Sequence, residues 1–382
     1  MKKPPLRKVL KWLAIAIAAV VCALLLLVGY WFFRPNAVVV DASLGLESWV
    51  AVGDGMHNSN TDLIWWKGRF YLVHASSPWH FASERCRLVL HRSTDARAWE
   101  QIATFQVSGQ DIRDPKLAAV GGRLFLYVLK NVDWNPEPYT TAFATSADGV
   151  EWTPLKDVDP SGWLFWRPKT RDGLTWYVPA YWWQHGKSAL LKSTDGEAWQ
   201  WVSVIHEGDR NDETDFEFLP DGRILCTARL EVSDSIFGDA EASTLIAVSN
   251  PPYTQWTSTK SRVTRLDGPD LFSHKGVVYA AGRHNPGAPR FGRRIGSVLG
   301  KKRTALYAVR QDGLTHLTDL PSCGDTSYAG VVLQGDDVYV SYYTNDIRAD
   351  YPWILGMVLP SEIRIAKIPM ARLHAKRMGT GP

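Results

Sequence analysis

The sequence predicts an all-β fold, a six-bladed β-propeller that follows one N-terminal transmembrane helix. Three observations predict it: a long uncharged apolar run near the N-terminus, six hairpin segments about 50 residues apart, and a shorter turn motif that ends in tryptophan. The chain has 382 residues, of which 45% are apolar and 21% are charged. Such a composition can bury a large core and excludes a disordered chain.

The apolar run is the first predicted element. Leu13 to Phe33 is a stretch of 21 residues without a charge, which is long enough to cross a bilayer as one helix. Residues 1–12 are basic and precede it, so we expect a cytoplasmic N-terminus and an exported body, anchored in a bacterial cell envelope. Residues 34–42 are then a linker. A cleaved signal peptide is the alternative interpretation of the same segment.

Six strand–turn–strand segments follow within residues 43–370, the predicted propeller domain. Each has β-branched and aromatic residues on both sides of a glycine turn, which is typical of a β-hairpin. The turn glycines are Gly68, Gly121, Gly173, Gly222, Gly276 and Gly335. They are 49 to 59 residues apart, which fits one four-stranded blade per repeat. Residues 371–382 are then a basic tail.

A second repeat, S-x-D-[G]-x-x-W, lies between the hairpins. It spans Ser93 to Trp99, Ser146 to Trp152 and Ser193 to Trp199. The aspartate can close a turn on the backbone, the glycine can adopt a positive φ, and the tryptophan can pack the turn against the sheet. We therefore interpret these residues as structural rather than catalytic.

Charge and cysteine content restrict the partners. The formal net charge is +4, and residues 1–34 carry six basic side chains and no acidic one. The body is therefore near neutral, which argues against a nucleic-acid partner. The four cysteines form no CxxC or Cys/His cluster of zinc spacing, and no phosphate-binding loop is present. The sequence thus predicts neither a metal nor a cofactor, and it leaves the oligomeric state open.

The first strand of each propeller blade lines the central channel, so the residues that open these strands converge on one mouth. These residues are Asn60, Asp62, Arg113, Asp114, Trp166, Arg167, Glu213, Asp215, Asp267, Asp270, Asp325 and Tyr328. A ring of carboxylates, arginines and one tyrosine favours a catalytic site over a purely structural rim. Trp166 adds an aromatic face of the kind that stacks on sugar rings.

The turn motif resembles the Asp-box, or BNR repeat, of the sialidase superfamily, and the resemblance covers roughly residues 43–370. Glu213 is followed by a strand, a D-G turn and Arg229, and Tyr328 lies in the small-residue context T-S-Y-A-G. The resemblance implies a glycoside hydrolase in which Tyr328 is the nucleophile and Glu213 is its base. It also implies that Arg229 and Arg283 bind the acidic group of a sugar in a glycan substrate.

The first blade departs from the family. The family's R-I-P segment is missing, and H-N-S-N-T-D, from His57 to Asp62, stands in its place. We therefore expect His57 and Asp62 to contact substrate, and Arg113 or Arg167 to replace the missing arginine. No clear aspartate follows the first hairpin, where the family keeps its acid.

A second resemblance leaves a different mechanism open. The R-D-P segment around Asp114 and the D-G-P segment at Asp267 resemble propeller glycosidases that work with carboxylates. In that case Asp62, Asp114 and either Glu213 or Asp267 carry the reaction, and Tyr328 only binds.

Two further hypotheses use the same residues. A uronic-acid lyase would need the arginines, the tyrosine and either His57 or His80. A non-catalytic propeller would use the rim to bind a glycan or an assembly partner. His80 and Glu84 are the titratable candidates for the missing acid after the first hairpin.

Overall fold

A computed structural model describes residues 6–33, 39–132, 135–286 and 294–379. Its first element is the helix α1 (Leu6–Phe33), which has 28 residues. The stretch Leu6–Tyr30 is long and apolar enough to cross a membrane, and none of it is buried. A signal sequence has the same features. The predicted linker 34–42 and the predicted tail 371–382 lie partly outside the described residues.

Within the described residues, 25 strands form six antiparallel sheets. β1 (Glu47–Val52) comes first in the chain and belongs to the last blade. Blade one contains β2 (His57–Trp66), β3 (Arg69–Ser77), β4 (Arg87–Ser93) and β5 (Glu100–Phe105). Blade two contains β6 (Asp111–Val120), β7 (Arg123–Val132), β8 (Asn135–Ser146) and β9 (Lys156–Asp157). Blade three contains β10 (Trp163–Phe165), β11 (Lys169–Thr170), β12 (Trp176–Trp182), β13 (Lys187–Ser193) and β14 (Gln200–Glu207).

The second half of the ring continues in the same order. Blade four contains β15 (Asn211–Phe218), β16 (Ile224–Leu230), β17 (Ser243–Ser249) and β18 (Thr257–Ser261). Blade five contains β19 (Asp267–His274), β20 (Val277–His284), β21 (Arg303–Arg310) and β22 (Gly313–Asp319). Blade six contains β23 (Ser327–Gln334), β24 (Asp337–Thr344), β25 (Glu362–Pro369) and β1. The short helices are a 3₁₀ turn at Ala42–Leu44, α2 (Trp353–Gly356) and α3 (Met370–Met378).

Blade six closes the ring with both ends of the domain, because β1 pairs antiparallel with β25 and sets Trp49 opposite Ile365. The apolar core lies between successive blades. Val73 of blade one, for example, packs in one cluster with Leu124 of blade two. The sequence-based prediction of an all-β, six-bladed propeller is therefore confirmed, with one N-terminal helix that could span a membrane.

The short repeats form the turns predicted for them. In each, one carboxylate oxygen accepts the backbone N–H groups two and three residues further on, at 2.8 to 3.0 Å: Asp95, Asp148 and Asp195. Gly149 and Gly196 follow two of these aspartates with φ of 82° and 78°, as the turn requires. A fourth copy, T-R-D-G-L-T-W, was interpreted from the sequence only as a hairpin turn. There Asp172 accepts the same two kinds of N–H group.

The C-terminal segment packs onto the propeller. Met370 and Leu373 of α3 are buried in one cluster with Leu44. Lys376 pairs with Asp41 at the surface of the same contact. Most of the segment predicted as a basic tail is therefore a docked helix.

Two basic side chains of blade three fill the channel below its mouth, which is the end at which the first strands begin. Arg167 Nε lies 3.1 Å from Asp62 and 3.3 Å from Asp270. Its other nitrogens donate to the carbonyl oxygens of Pro269 and Ala329. Lys169 Nζ lies 3.1 Å from Asp215 and donates to two further carbonyl oxygens. We call this buried layer of Arg167, Lys169, Asp62, Asp215 and Asp270 the channel plug.

The plug carboxylates also connect neighbouring blades. Each accepts a backbone N–H of the next blade: Asp62 from Leu117 at 2.6 Å, Asp215 from Leu271 at 2.7 Å, and Asp270 from Val331 at 2.7 Å. Asp62 and Arg167, predicted from the sequence to contact substrate, lie in this layer, where other groups of the chain hold both side chains.

Candidate active site

Five of the six first strands have a β-bulge close to the channel mouth. The pairing register shifts between residues 59 and 62, 113 and 116, 211 and 214, 267 and 270, and 327 and 330. Four residues in these bulges have left-handed φ: Asn60 at 46°, Asp114 at 50°, Gly268 at 60° and Tyr328 at 46°. Glu213 lies in the fifth bulge. A bulge re-aims a side chain and often lies beside an active site.

Tyr328 and Glu213 form the centre of this mouth. The Tyr328 hydroxyl donates a hydrogen bond to Glu213 Oε1, and Glu213 Oε2 accepts the backbone N–H of Gly268 at 2.7 Å. Glu213 is 4% exposed and Tyr328 is 8% exposed. Gly268 is required here, because a Cβ on it would lie 2.8 Å from Tyr328 Cγ. Blades four, five and six thus build the pair together.

Burial sets the protonation of both groups. It raises the pKa of Glu213 to about 7, and the nearby Asp212 and Asp267 add to this effect against the opposing charge of Arg229. Burial and the Glu213 charge raise the pKa of Tyr328 well above its usual range. The phenol therefore keeps its proton at neutral pH. A carboxylate that titrates near neutrality lies in position to accept it.

Arg229 lies beside this pair but is held by three acidic residues of its own blade. Its Nη1 is 3.1 Å from Glu213 Oε1, and its Nε donates to Asp212 at 2.7 Å. Its Nη2 contacts Asp212 as well and lies 3.6 Å from Glu231. Its guanidinium group is therefore oriented toward Glu213 and is largely neutralised by its neighbours.

Arg283 lies on the other side of Tyr328, with its guanidinium carbon 5.2 Å from the centre of the phenol ring. Its nitrogens lie 3.3 Å from Asp267 and 3.3 Å from Asp325. It also donates to the Tyr343 hydroxyl at 3.0 Å. Like Arg229, this arginine is near the predicted nucleophile and already paired.

Blade two contributes a further carboxylate to the mouth. Asp114 is 9% exposed, and it accepts a hydrogen bond from the Asn60 side chain. Its charge is among the causes that raise the pKa of Tyr328. Next to it, Lys116 is fully buried with Nζ 4.2 Å from the centre of the Trp166 ring. Burial, with Arg167 nearby, lowers the pKa of Lys116 to about 8.

The remaining predicted residues lie around this centre. Trp166 is 1% exposed and its Nε1 donates to the Pro269 carbonyl at 2.7 Å, so it supports the site from below. Arg113 pairs with Asp111 and donates to the His80 carbonyl at 3.0 Å. The structure thus brings Tyr328, Glu213, Asp114, Arg229 and Arg283 to one mouth. His57 lies beside them, in contact with Asp325.

Four residues at or directly behind the mouth are not predicted from the sequence. Asp212 and Glu231 orient Arg229, and the fully buried Lys116 and Tyr343 lie behind the mouth, next to Asp114 and Arg283. Asp212 could have been found, because it directly precedes Glu213. The others depend on pairings between strands that the order of residues does not give.

Two cavities among the described residues lie away from this mouth. One of about 530 Å³ is lined by Gly53, Asp346 and Glu362, and one of about 290 Å³ is lined by Thr170, Glu217 and Gly276. Neither contains a residue predicted for the site.

Solved structures share this fold at low sequence identity. A protein of unknown function from Dyadobacter fermentans matches with a TM-score of 0.61 and 16% identity, over 85% of this chain and 99% of that one. A trans-sialidase-active mutant of Trypanosoma rangeli sialidase matches with a TM-score of 0.63 and 12% identity, over 90% of this chain and 61% of that one. A Hadza microbial sialidase matches with a TM-score of 0.57 and 15% identity, over 83% of this chain and 66% of that one.

No protein-family model and no curated protein matches the chain. At 10 to 16% identity, the likeness to these structures shows the fold alone. The chain is thus a sialidase-like six-bladed propeller.

Proposed function

We propose that this protein is a membrane-anchored glycoside hydrolase of sialidase-like mechanism, with its propeller outside the cytoplasm. The hydrogen bond from the Tyr328 hydroxyl to Glu213, at the mouth of a sialidase-like propeller, is the observation that carries the proposal. The apolar helix α1 supports the anchoring. The partner is a glycan. The near-neutral body gives no reason to expect a nucleic-acid partner.

In the proposed first step, the Tyr328 oxygen attacks the anomeric carbon while the bond to the leaving oxygen breaks. Glu213 accepts the phenol proton, and Asp114 gives a proton to the leaving oxygen. In the second step, Asp114 takes a proton from water, which attacks the same carbon. The Tyr328 oxygen leaves and recovers its proton from Glu213. Two displacements at one carbon retain its configuration.

The proposed substrate carries an anionic group beside the anomeric carbon. A neutral phenol suits such a centre better than a carboxylate nucleophile, which the anionic group would repel. Arg229 and Arg283 lie on two sides of the Glu213–Tyr328 pair, where they can attract that group. In this proposal they bind it while remaining partly neutralised by their own acidic partners.

A carboxylate-based glycosidase acting on a neutral sugar is the second candidate. The observation that favours it is that Arg229 and Arg283 already contact five acidic side chains: Asp212, Glu213, Glu231, Asp267 and Asp325. In that case Asp114 and Glu213 perform the chemistry, and Tyr328 positions Glu213.

The test uses the full-length chain in detergent with aryl glycosides of acidic and neutral sugars. We expect Tyr328→Phe and Glu213→Gln to lower kcat/KM on acidic glycosides by about 10²- to 10⁴-fold. Asp114→Asn should have a mild effect on kcat/KM, because an aryl leaving group needs little protonation, but it should lower kcat where hydrolysis of the intermediate limits the rate. Tyr339→Phe, in the second strand of the Tyr328 blade, and Glu217→Gln, at the far end of the Glu213 strand, are the matched controls.

Three results would redirect the proposal. A fall in kcat/KM on neutral glycosides in Asp114→Asn, with no such fall in Tyr328→Phe, would select the carboxylate mechanism. Elimination products with an unsaturated sugar would indicate a lyase. Absence of turnover, together with glycan binding that Arg229→Ala weakens, would contradict the hydrolase and leave a binding propeller.

A further inference from the structure

Two histidines and one aspartate converge beside the mouth, outside the proposed reacting pair. His57 opens the first strand of blade one, His80 lies in the loop after that hairpin, and Asp325 precedes the first strand of blade six. His57 Nε2 is 3.2 Å from Asp325 Oδ2, and His80 Nδ1 is 2.7 Å from the same oxygen. His57 and Asp325 are fully buried.

The geometry of these contacts is unusual for hydrogen bonds. His57 Nδ1 lies 2.8 Å from the Leu359 carbonyl oxygen, an acceptor that requires the proton to be on Nδ1. In the neutral imidazole, Nε2 then presents a lone pair to the carboxylate oxygen, which has no proton to share. Among the described residues, His57 Nε2, His80 Nδ1 and Asp325 Oδ2 have no hydrogen bond of acceptable geometry. A cation between them would satisfy all three atoms.

We propose that His57 Nε2, His80 Nδ1 and Asp325 Oδ2 bind a divalent transition-metal ion, with Zn²⁺ as the best match. Two imidazole nitrogens and one carboxylate oxygen form a donor set that Zn²⁺ prefers. Ligand atoms around a tetrahedral Zn²⁺ are about 3.3 Å apart, given bonds of about 2.0 Å. The three atoms here lie within 4.8 Å of one another, so small side-chain rotations suffice.

The surrounding residues orient the ligands as metal sites require. Asp325 Oδ1, the oxygen not used, accepts hydrogen bonds from Tyr343 at 2.9 Å and from Trp353 Nε1 at 2.7 Å. The Leu359 carbonyl fixes the His57 ring in the same way. Outer partners of this kind are a regular feature of zinc ligands. Arg283 is the nearest fixed positive charge, and it approaches Oδ1 rather than Oδ2.

Access and position suggest what the ion would do. The His80 side chain is 21% exposed, so a fourth coordination position can open to solvent. Asp325 connects through Tyr343 and Arg283 to the ring of Tyr328. The ion would therefore join blades one and six next to the mouth. This inference does not depend on the proposed hydrolase activity.

The experiment measures Zn²⁺ binding to the full-length chain in detergent after the metal is stripped with a chelator. We expect about one Zn²⁺ per chain and a rise in Tm on adding it. His80→Ala and Asp325→Asn should lose stoichiometric binding, and Trp353→Phe should weaken it about tenfold. His206→Ala is the matched control, because His206 pairs with Asp209 at 3.0 Å without a second histidine. It should keep the Zn²⁺.

Two results would overturn the proposal. One is a folded wild-type chain that binds no Zn²⁺ above background and shows no change in Tm. The other is a wild-type level of binding in both His80→Ala and Asp325→Asn. Because the wild-type titration alone can overturn the proposal, the test holds even if one variant does not fold. The experiment does not depend on any measurement of enzymatic activity.

Discussion

The channel plug and the channel mouth contain the same kinds of residues in two different roles. In the plug, Asp62, Asp215 and Asp270 are held by Arg167, by Lys169 and by backbone N–H groups of the next blade. At the mouth, Asp114, Glu213 and Tyr328 lie in bulges. Asp114 accepts a hydrogen bond from Asn60 of blade one, and Tyr328 of blade six donates one to Glu213 of blade four. In the plug these groups connect neighbouring blades, whereas at the mouth they form the proposed active site.

In three of the first strands, the two layers are only two residues apart. Asn60 is followed by Asp62, Glu213 by Asp215, and Gly268 by Asp270. Because the bulge turns the first residue of each pair to the mouth, the second residue faces the channel and the next blade. A charged residue at the opening of a propeller strand is therefore not by itself evidence of catalysis. Its position relative to the bulge determines whether its side chain faces the mouth or the channel plug.

The largest expected effect is the loss of stability when an arginine of the channel plug is removed, compared with the removal of an exposed arginine. Arg167→Ala leaves Asp62 and Asp270 buried without their partner, so we expect the free energy of unfolding to fall by about 3–5 kcal/mol. Arg171→Ala, an exposed arginine on the same blade, should change it by about 0.5 kcal/mol or less. Denaturant unfolding of both variants measures the difference. Equal losses would mean that the plug does not hold the ring.

The pH dependence of the free energy of unfolding tests the buried carboxyl of Glu213 at the mouth. The native pKa of Glu213, about 7, lies above its ordinary value, so the folded state binds more protons between roughly pH 4.5 and 7. Stability from this group is therefore lost as the pH rises through that window, by up to about 1.4 kcal/mol per pH unit. Asp270, whose pKa burial also raises to about 7, adds to the slope.

Glu213→Gln should reduce this slope by the share that Glu213 contributes, because glutamine does not titrate. Unfolding midpoints measured at several pH values for wild type and variant test it. Burial also raises the pKa of Glu217, so Glu217→Gln should reduce the slope as well, by a smaller share. A slope unchanged by Glu213→Gln would contradict the protonated, buried carboxyl at the mouth.

A glycine pair tests whether the mouth geometry matters for activity. Gly268 has φ of +60°, and a Cβ on it would collide with Tyr328. Gly276 has φ of +76°, but a Cβ there would meet only Pro220, at 3.5 Å. We expect Gly268→Ala to lower kcat about tenfold or more, whereas Gly276→Ala should cost about 1 kcal/mol of stability and leave kcat unchanged. Equal activities in both variants would count against a site at Tyr328.

The smallest effect concerns a turn far from both layers. Ala96 occupies, at φ 60°, the position that Gly149 and Gly196 occupy in the other short repeats. Ala96→Gly relieves about 1–2 kcal/mol of strain and removes one buried methyl group worth about 0.8 kcal/mol. We expect a net gain in stability of about 0.5 kcal/mol, measured by denaturant unfolding. A loss would mean that packing of the methyl group outweighs backbone strain.

The sequence was sufficient for the blades because each hairpin is local: a glycine turn between two apolar strands carries its own signal. It also indicated Tyr328, Glu213 and Arg229, since a known family spaces such residues in a similar way. It did not show that Asp62 and Arg167 lie in one layer below the mouth, because the contact between blades one and three forms only in the folded ring. Contacts such as His57 with Asp325 come from closing the ring, which only the folded chain shows.

The most direct test of a reacting tyrosine at the mouth is to trap the covalent intermediate. The full-length chain is mixed with a slow aryl glycoside that it turns over, quenched, digested and examined by mass spectrometry. We expect one sugar on the peptide that contains Tyr328, and no adduct in Tyr328→Phe. A sugar on Asp114 or Glu213, or turnover with no adduct on Tyr328 under conditions that accumulate an intermediate, would contradict the tyrosine mechanism.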